Sequence, residues 1–173
     1  SLVGSEMCIR DCFDPVSFKP YFQHFPLNKT VSLDSILLVP YTLTASADRK
    51  QVMADVPAFD AANFVKAPAG ATHFRIILVA AVVSEMLYMN NLNKYESSDK
   101  ANASKNDMVA SNYLDINAET GGLINLTASL AEVAVLPDTS AVMACLGIEF
   151  YQELGGRYYL LSSSNAMKIV QVF

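Results

Sequence analysis

His73 and Arg75 stand at the mouth of a long apolar run, in the stretch KAPAGATHFRIILVAAVV. An imidazole can take or give a proton near neutral pH, and a guanidinium can hold an anion. To serve as a base, a histidine needs a carboxylate to orient it and a group to activate. Glu149 and Glu153, in LGIEFYQEL, are the carboxylates that a functional reading would recruit. Residues two apart on a strand share a face, which would set His73 and Arg75 beside Ile77, Val79 and Ala81. The plainer reading is that they mark the solvent-facing end of a strand whose middle is buried. The sequence favours the plainer reading.

Glu149 and Glu153 also suggest a paired-carboxylate glycosidase. Four residues along a strand is about 13 Å, whereas glycosidase pairs lie roughly 5 to 9.5 Å apart. These two alone are therefore not such a pair. The aspartates are dispersed and fall mostly in turns, and no D-x-[DN]-x-[DN]-G loop is present, which excludes an EF-hand. There is no G-x-S-x-G elbow, P-loop or G-x-G-x-x-G, so no cofactor is expected. Cys8, Cys12 and Cys145 are too few and too scattered, with only two histidines in the chain, to suggest a disulfide framework or a zinc site. Cys145 alternates into an apolar strand pattern and reads as a small buried hydrophobe.

Tyrosines make the best case for binding. Tyr151, Tyr158 and Tyr159 cluster near the end of the chain, and tyrosine is enriched in contact surfaces. Cross-strand aromatic pairs also stabilise a sheet with no partner at all, and that role is favoured. The binding candidates are thus Tyr151, Tyr158, Tyr159, His73 and Arg75.

The elements that must position these side chains are strands. The 173 residues are 52% hydrophobic and 17% charged, below the roughly 25% charge of average domains. Such a chain can bury one large core. A net charge of -5 with scattered Lys and Arg offers no footprint for nucleic acid, and no apolar run reaches the ~18 residues of a membrane-spanning helix. Alternation in YTLTASADRKQVMADV predicts a hairpin turning at 47–49. PAFDAANFVKAPAG predicts a crossover loop with one helical turn at 60–64. The run 72–83 predicts a strand buried on both faces. A turn is expected at Asn90-Asn91, and a mobile surface loop at 96–107. Strands follow at 109–117 and 123–136, the latter also satisfying a helical period at Leu126, Leu130 and Val133.

The clearest unit is last. Gly155-Gly156 between two aromatic-rich runs fits a type I′ hairpin, where both central residues need positive φ. Pairing then puts Leu154 opposite Arg157, Gln152 opposite Tyr159 and Phe150 opposite Leu161 on one face. Glu153 meets Tyr158 and Tyr151 meets Leu160 on the other. MKIVQVF closes the chain as a final strand. About eight or nine strands with few helical patterns predict an all-β fold, an antiparallel β-sandwich broadly immunoglobulin- or fibronectin-like.

The first eleven residues differ from the rest. LVGSEMCIRD resembles the translated read-through of a transposon-based sequencing adapter, residue for residue. The resemblance implies that 1–11 is a non-native leader, that Cys8 is not biological, and that the chain is a piece of a longer protein. Localisation then cannot be read from the start of the chain. The expected organisation is this leader, an irregular segment at 12–32, and a β-sandwich domain at 33–173. PAFDAANFVKAPAGATHFRI and LGIEFYQELGGRYYLL resemble a family of uncharacterised Bacteroidota proteins, with segments like A-P-x-G-A-T-H-F and L-G-I-E-F-Y-Q-E-x-x-G. The similarity covers roughly 36–173. In that family the β-rich part is C-terminal, behind a basic region absent here, and Pro often stands at the place of Leu160. The family brings no catalytic residues to transfer. The expected role is a non-catalytic structural or protein-interaction module, its partner another protein or its own missing N-terminal region. The alternative is a carbohydrate- or ligand-binding sandwich at a cell surface or on a phage particle.

Overall fold

The computed structural model describes residues 12–173; the leader-like stretch, with Cys8, lies outside them. Among the described residues the fold is all-β, built from three antiparallel sheets. Its axis is a pair of long strands, β4 (His73–Ser84) and β10 (Ser140–Leu154), in register from Ser84 opposite Ser140 to His73 opposite Tyr151. Both are rich in Val, Ile, Leu and Phe, which suit a pleated, packed surface. Their inner face is Phe74, Ile76, Leu78, Ala80 and Val82 against Val142, Ala144, Leu146, Ile148 and Phe150, all buried.

Two short strands in succession flank each long one. β7 (Asn106–Ala110) and β8 (Leu114–Asp115) share the free edge of β4, while β11 (Arg157–Leu160) and β12 (Ala166–Val172) share that of β10. This subdivision yields more strands than eight or nine. β2 (Thr42–Ala45), β3 (Gln51–Val56) and β9 (Ile124–Ser129) form a second sheet in the order β2-β3-β9. Its Val52, Ala54, Val56, Leu126 and Ala128 join the inner face of β4 and β10 in one buried cluster. The two sheets therefore bury their apolar faces in a common core. A third, small sheet joins β1 (Cys12–Phe13), β5 (Met86–Met89) and β6 (Lys94–Ser97).

The hairpin of β2 and β3 forms as its alternation predicts. Its turn carries Arg49 at φ 58, whose guanidinium donates to the carbonyls of Leu136, Pro137 and Ser140. The crossover contains the expected single helical turn. α1 (Lys19–Phe22) and α2 (Leu33–Ile36) precede it, and α3 (Ala61–Phe64) is capped by Asp60, which accepts from the Ala62 N–H. Of 123–136, residues 124–129 form a strand and the remainder is neither strand nor helix. Leu126 and Ala128 point into the core and Asn125, Thr127 and Ser129 outward, after which the chain turns rather than coils.

Three expectations need correction. β4 is not buried on both faces: on its outer face Ile77 is buried, but Arg75, Val79, Ala81 and Val83 remain half-exposed. An antiparallel sheet covered by another sheet on one side only produces that asymmetry. The turn between β5 and β6 has its positive φ at Asn93, not at Asn90 or Asn91. The loop expected to be mobile at 96–107 includes the ends of β6 and β7, and between them Asn102 is buried. Its amide donates to Asp99 and to the Val135 carbonyl, and Asp99 also accepts from Ser140.

The outer face is closed at one end by the segment preceding α2. Val16 and Phe22 pack on Ala141, Cys145, Ile169 and Val172. The backbone at 25–27 then runs along β12, with Leu27 N donating to Met167 O and Ile169 N to Phe25 O, both at 2.9 Å. Buried Lys168 reaches Asp34 of α2 at 2.6 Å. Between β11 and β12, Asn165 bridges the gap: its Oδ1 accepts from Phe150 N and its Nδ2 donates to Leu161 O. Gly147 is needed where β12 crosses, because a Cβ there would lie 2.9 Å from Met167 Cε and 3.0 Å from Ala166 O.

Candidate functional site

The open end of the outer face gathers four of the five residues singled out by sequence. β4 supplies His73 and Arg75, β10 supplies Glu149 and Tyr151, and β11 supplies Tyr158. The Gly155-Gly156 turn has φ of 60 and 79, and the register it sets (Leu154 with Arg157, Glu153 with Tyr158) is the one the Gly-Gly pair predicts. Strand alternation places Tyr159 on the opposite face, so it does not join the group.

The ring that completes the cluster is Tyr113, from the connection between β7 and β8. The Ser111 carbonyl accepts from Arg75 Nε at 2.8 Å, and the Ser111 hydroxyl accepts from Ile76 N at 3.0 Å. So anchored, the connection projects Tyr113 over the sheet, where it stacks on Tyr158 with centroids 3.8 Å apart and planes 3° from parallel. Tyr151 meets Tyr113 edge-on at 4.9 Å, His73 meets Tyr158 edge-on at 5.0 Å, and the Arg75 guanidinium lies 4.9 Å from the Tyr113 centroid. Such ring and cation contacts each contribute about 0.5–1.5 kcal/mol beyond area burial. Tyr113 and Tyr158 remain 37% and 38% exposed.

The titratable groups are each tied to a near neighbour. His73 Nδ1 lies 2.9 Å from the Thr72 hydroxyl. Glu149 accepts from the Tyr151 hydroxyl at 2.6 Å, and Glu153 accepts from Gly156 N within the hairpin turn. Burial, followed by the hydrogen bond and charge of Glu149, pushes the Tyr151 phenol up to about 12. Among the described residues no group of three His, Cys, Asp or Glu is placed to hold a metal ion. Cys145 is buried, which raises its thiol to about 11 and leaves it a poor nucleophile.

A groove of about 200 Å³ continues from Glu149 past Ile77 and Met167 to Asn28. Two larger hollows, about 340 and 350 Å³, flank β9 and contain none of the five candidate residues. Sequence reasoning misses Tyr113. It lies within a stretch legible only as strand, and its contacts arise from the order β8, β4, β10, β11 across the sheet. Comparison with family models, with curated proteins and with solved structures finds no match.

Proposed function

We propose that this chain is a non-catalytic structural or protein-interaction module, a β-sandwich broadly of the immunoglobulin or fibronectin kind. The observation that carries the reading is the Tyr113–Tyr158 stack, closed by Arg75 and His73. It is an aromatic surface whose histidine meets a hydroxyl through Nδ1, and rigid amphipathic rings suit protein contact at low entropic cost. The shared core of the two sheets supports the sandwich. A second reading, a carbohydrate-binding sandwich, is favoured by the partial exposure of both stacked rings.

The test is a two-dimensional NMR titration with neutral and acidic oligosaccharides, run beside turnover assays on fluorogenic esters and glycosides. The expected result is no sugar-dependent shift at Tyr113 or Tyr158 and no turnover. Shifts that vanish in Tyr158→Ala would install the carbohydrate reading, and turnover that vanishes in His73→Ala would overturn both.

A further inference from the structure

The outer edge of β11 is open, and the groups along it are arranged for a second copy of itself. Leu161 N donates to Phe150 O at 2.8 Å, so residue 161 faces β10. Antiparallel partners alternate between hydrogen-bonded and non-bonded pairs. Arg157 and Tyr159 therefore also face β10, through Leu154 and Gln152, while the N–H and C=O of Tyr158 and Leu160 point away. Among the described residues, none hydrogen bonds to these four groups. The edge of β12, farther along β10, is covered by the backbone at 25–27. All four β11 side chains are exposed, Tyr159 by 50% and Leu160 by 56%.

We propose that two copies of this chain associate by antiparallel pairing of β11 with β11 about a two-fold axis through Tyr159. This names the partner of the interaction module proposed above and rests on that reading. In this register Tyr158 lies opposite Leu160 of the second copy and Leu160 opposite its Tyr158. Each pair exchanges two backbone hydrogen bonds, so all four outward groups of each edge are used. On the outer face, exposed Leu160 packs beside the second copy's tyrosine stack. On the other face the two Tyr159 side chains meet as a non-bonded pair, where side chains approach most closely. Arg157 falls opposite position 161 rather than opposite its own copy, so no like charges face each other. A register shifted by one residue would set the outward groups of Tyr158 opposite Tyr159, whose own groups face β10, and lose the match. A contact of four residues per edge is small beside the roughly 1,600 Å² of a standard interface, so the dimer is weak and concentration-dependent.

Sedimentation equilibrium of the full chain, from tens of micromolar to about a millimolar, tests this. The weight-average mass is expected to climb from monomer toward dimer, with concentration-dependent amide shifts centred on Tyr158 and Leu160. Leu160→Pro removes an outward N–H without touching the β10 ladder, and proline is tolerated at such edge positions. It should stay monomeric over the same range with a melting temperature close to that of the parent. Leu160→Lys, which cannot lose the ladder at all, should weaken association at least tenfold. A parent that remains monomeric throughout, or a Leu160→Pro variant that associates equally well, overturns the proposal. Neither outcome bears on the turnover and sugar titrations, so the two readings fail separately.

Discussion

One strand, β10, runs through two different environments. From Met143 to Ile148 it is largely enclosed: β4 and β12 pair its edges, its inner face shares a core with the second sheet, and Val16 and Phe22 cover part of its outer face. Beyond Ile148 it keeps β4 as far as Tyr151 and pairs with β11 from Tyr151 to Leu154, yet its outer face carries an aromatic roof open to water, and the next edge is unpaired. The closed half holds small and aliphatic side chains, down to a glycine where β12 crosses. The open half holds Glu, Tyr and Gln, whose polar ends need water or a hydrogen-bond partner. Stability and recognition are thus divided along a single strand.

That division is exposed to direct attack. Leu146→Ala, in the closed half, should lower stability by about 2–5 kcal/mol, since a fully buried leucine leaves a cavity. Leu160→Ala, in the open half, should stay within about 0.5 kcal/mol. Urea unfolding of both variants checks the pair, and equal effects would erase the distinction. Gly147→Ala should cost about 1–2 kcal/mol: Met167 Cε can move aside, but the Ala166 carbonyl is backbone and yields less. A melting temperature at or above that of the parent would show that β12 lies less tightly on β10 than its spacing implies.

The smallest effect concerns the open half alone. Tyr151 has an ordinary value of 10.0 and titrates near 12 in the folded chain, so the folded state holds this proton more tightly than the unfolded state. Its contribution to stability is whole below pH 10 and is lost as pH rises toward 12. In Glu149→Gln the midpoint should fall but stay above the ordinary value, because burial persists. Near-ultraviolet tyrosinate absorbance measures the shift, with Tyr151→Phe assigning it. An unmoved midpoint would mean that burial alone holds the phenol.

Much of this architecture is legible in the sequence, for physical reasons that differ by element. Gly155-Gly156 fixes a hairpin because few residue pairs take two positive φ values, and the register follows by counting. Alternation places β2 and β3, and the same alternation separates Tyr159 from Tyr158 once the register is known. Grouping Tyr151, Tyr158 and Tyr159 by nearness along the chain overlooks that period of two. The partial exposure of β4 is less legible, because an apolar run does not reveal whether one or two layers will cover it. Tyr113 is not legible at all: its partners lie 38 and 45 positions away and meet it only through strand order. Asn102 is hidden in the same way, a polar residue in a polar loop that the fold nonetheless buries.

Asn165 has a consequence of another kind. Where β10 passes from β11 to β12, this one side chain takes Phe150 N and Leu161 O, the groups that would otherwise lie at a break in the ladder. Ser162, Ser163 and Ser164 hold none of these bonds. Lengthening that connection changes only a loop-closure entropy that grows slowly with length. The serine run is therefore the place where this sheet can accept inserted sequence, such as a tag or a grafted epitope, and Asn165 is the point that any graft must leave intact.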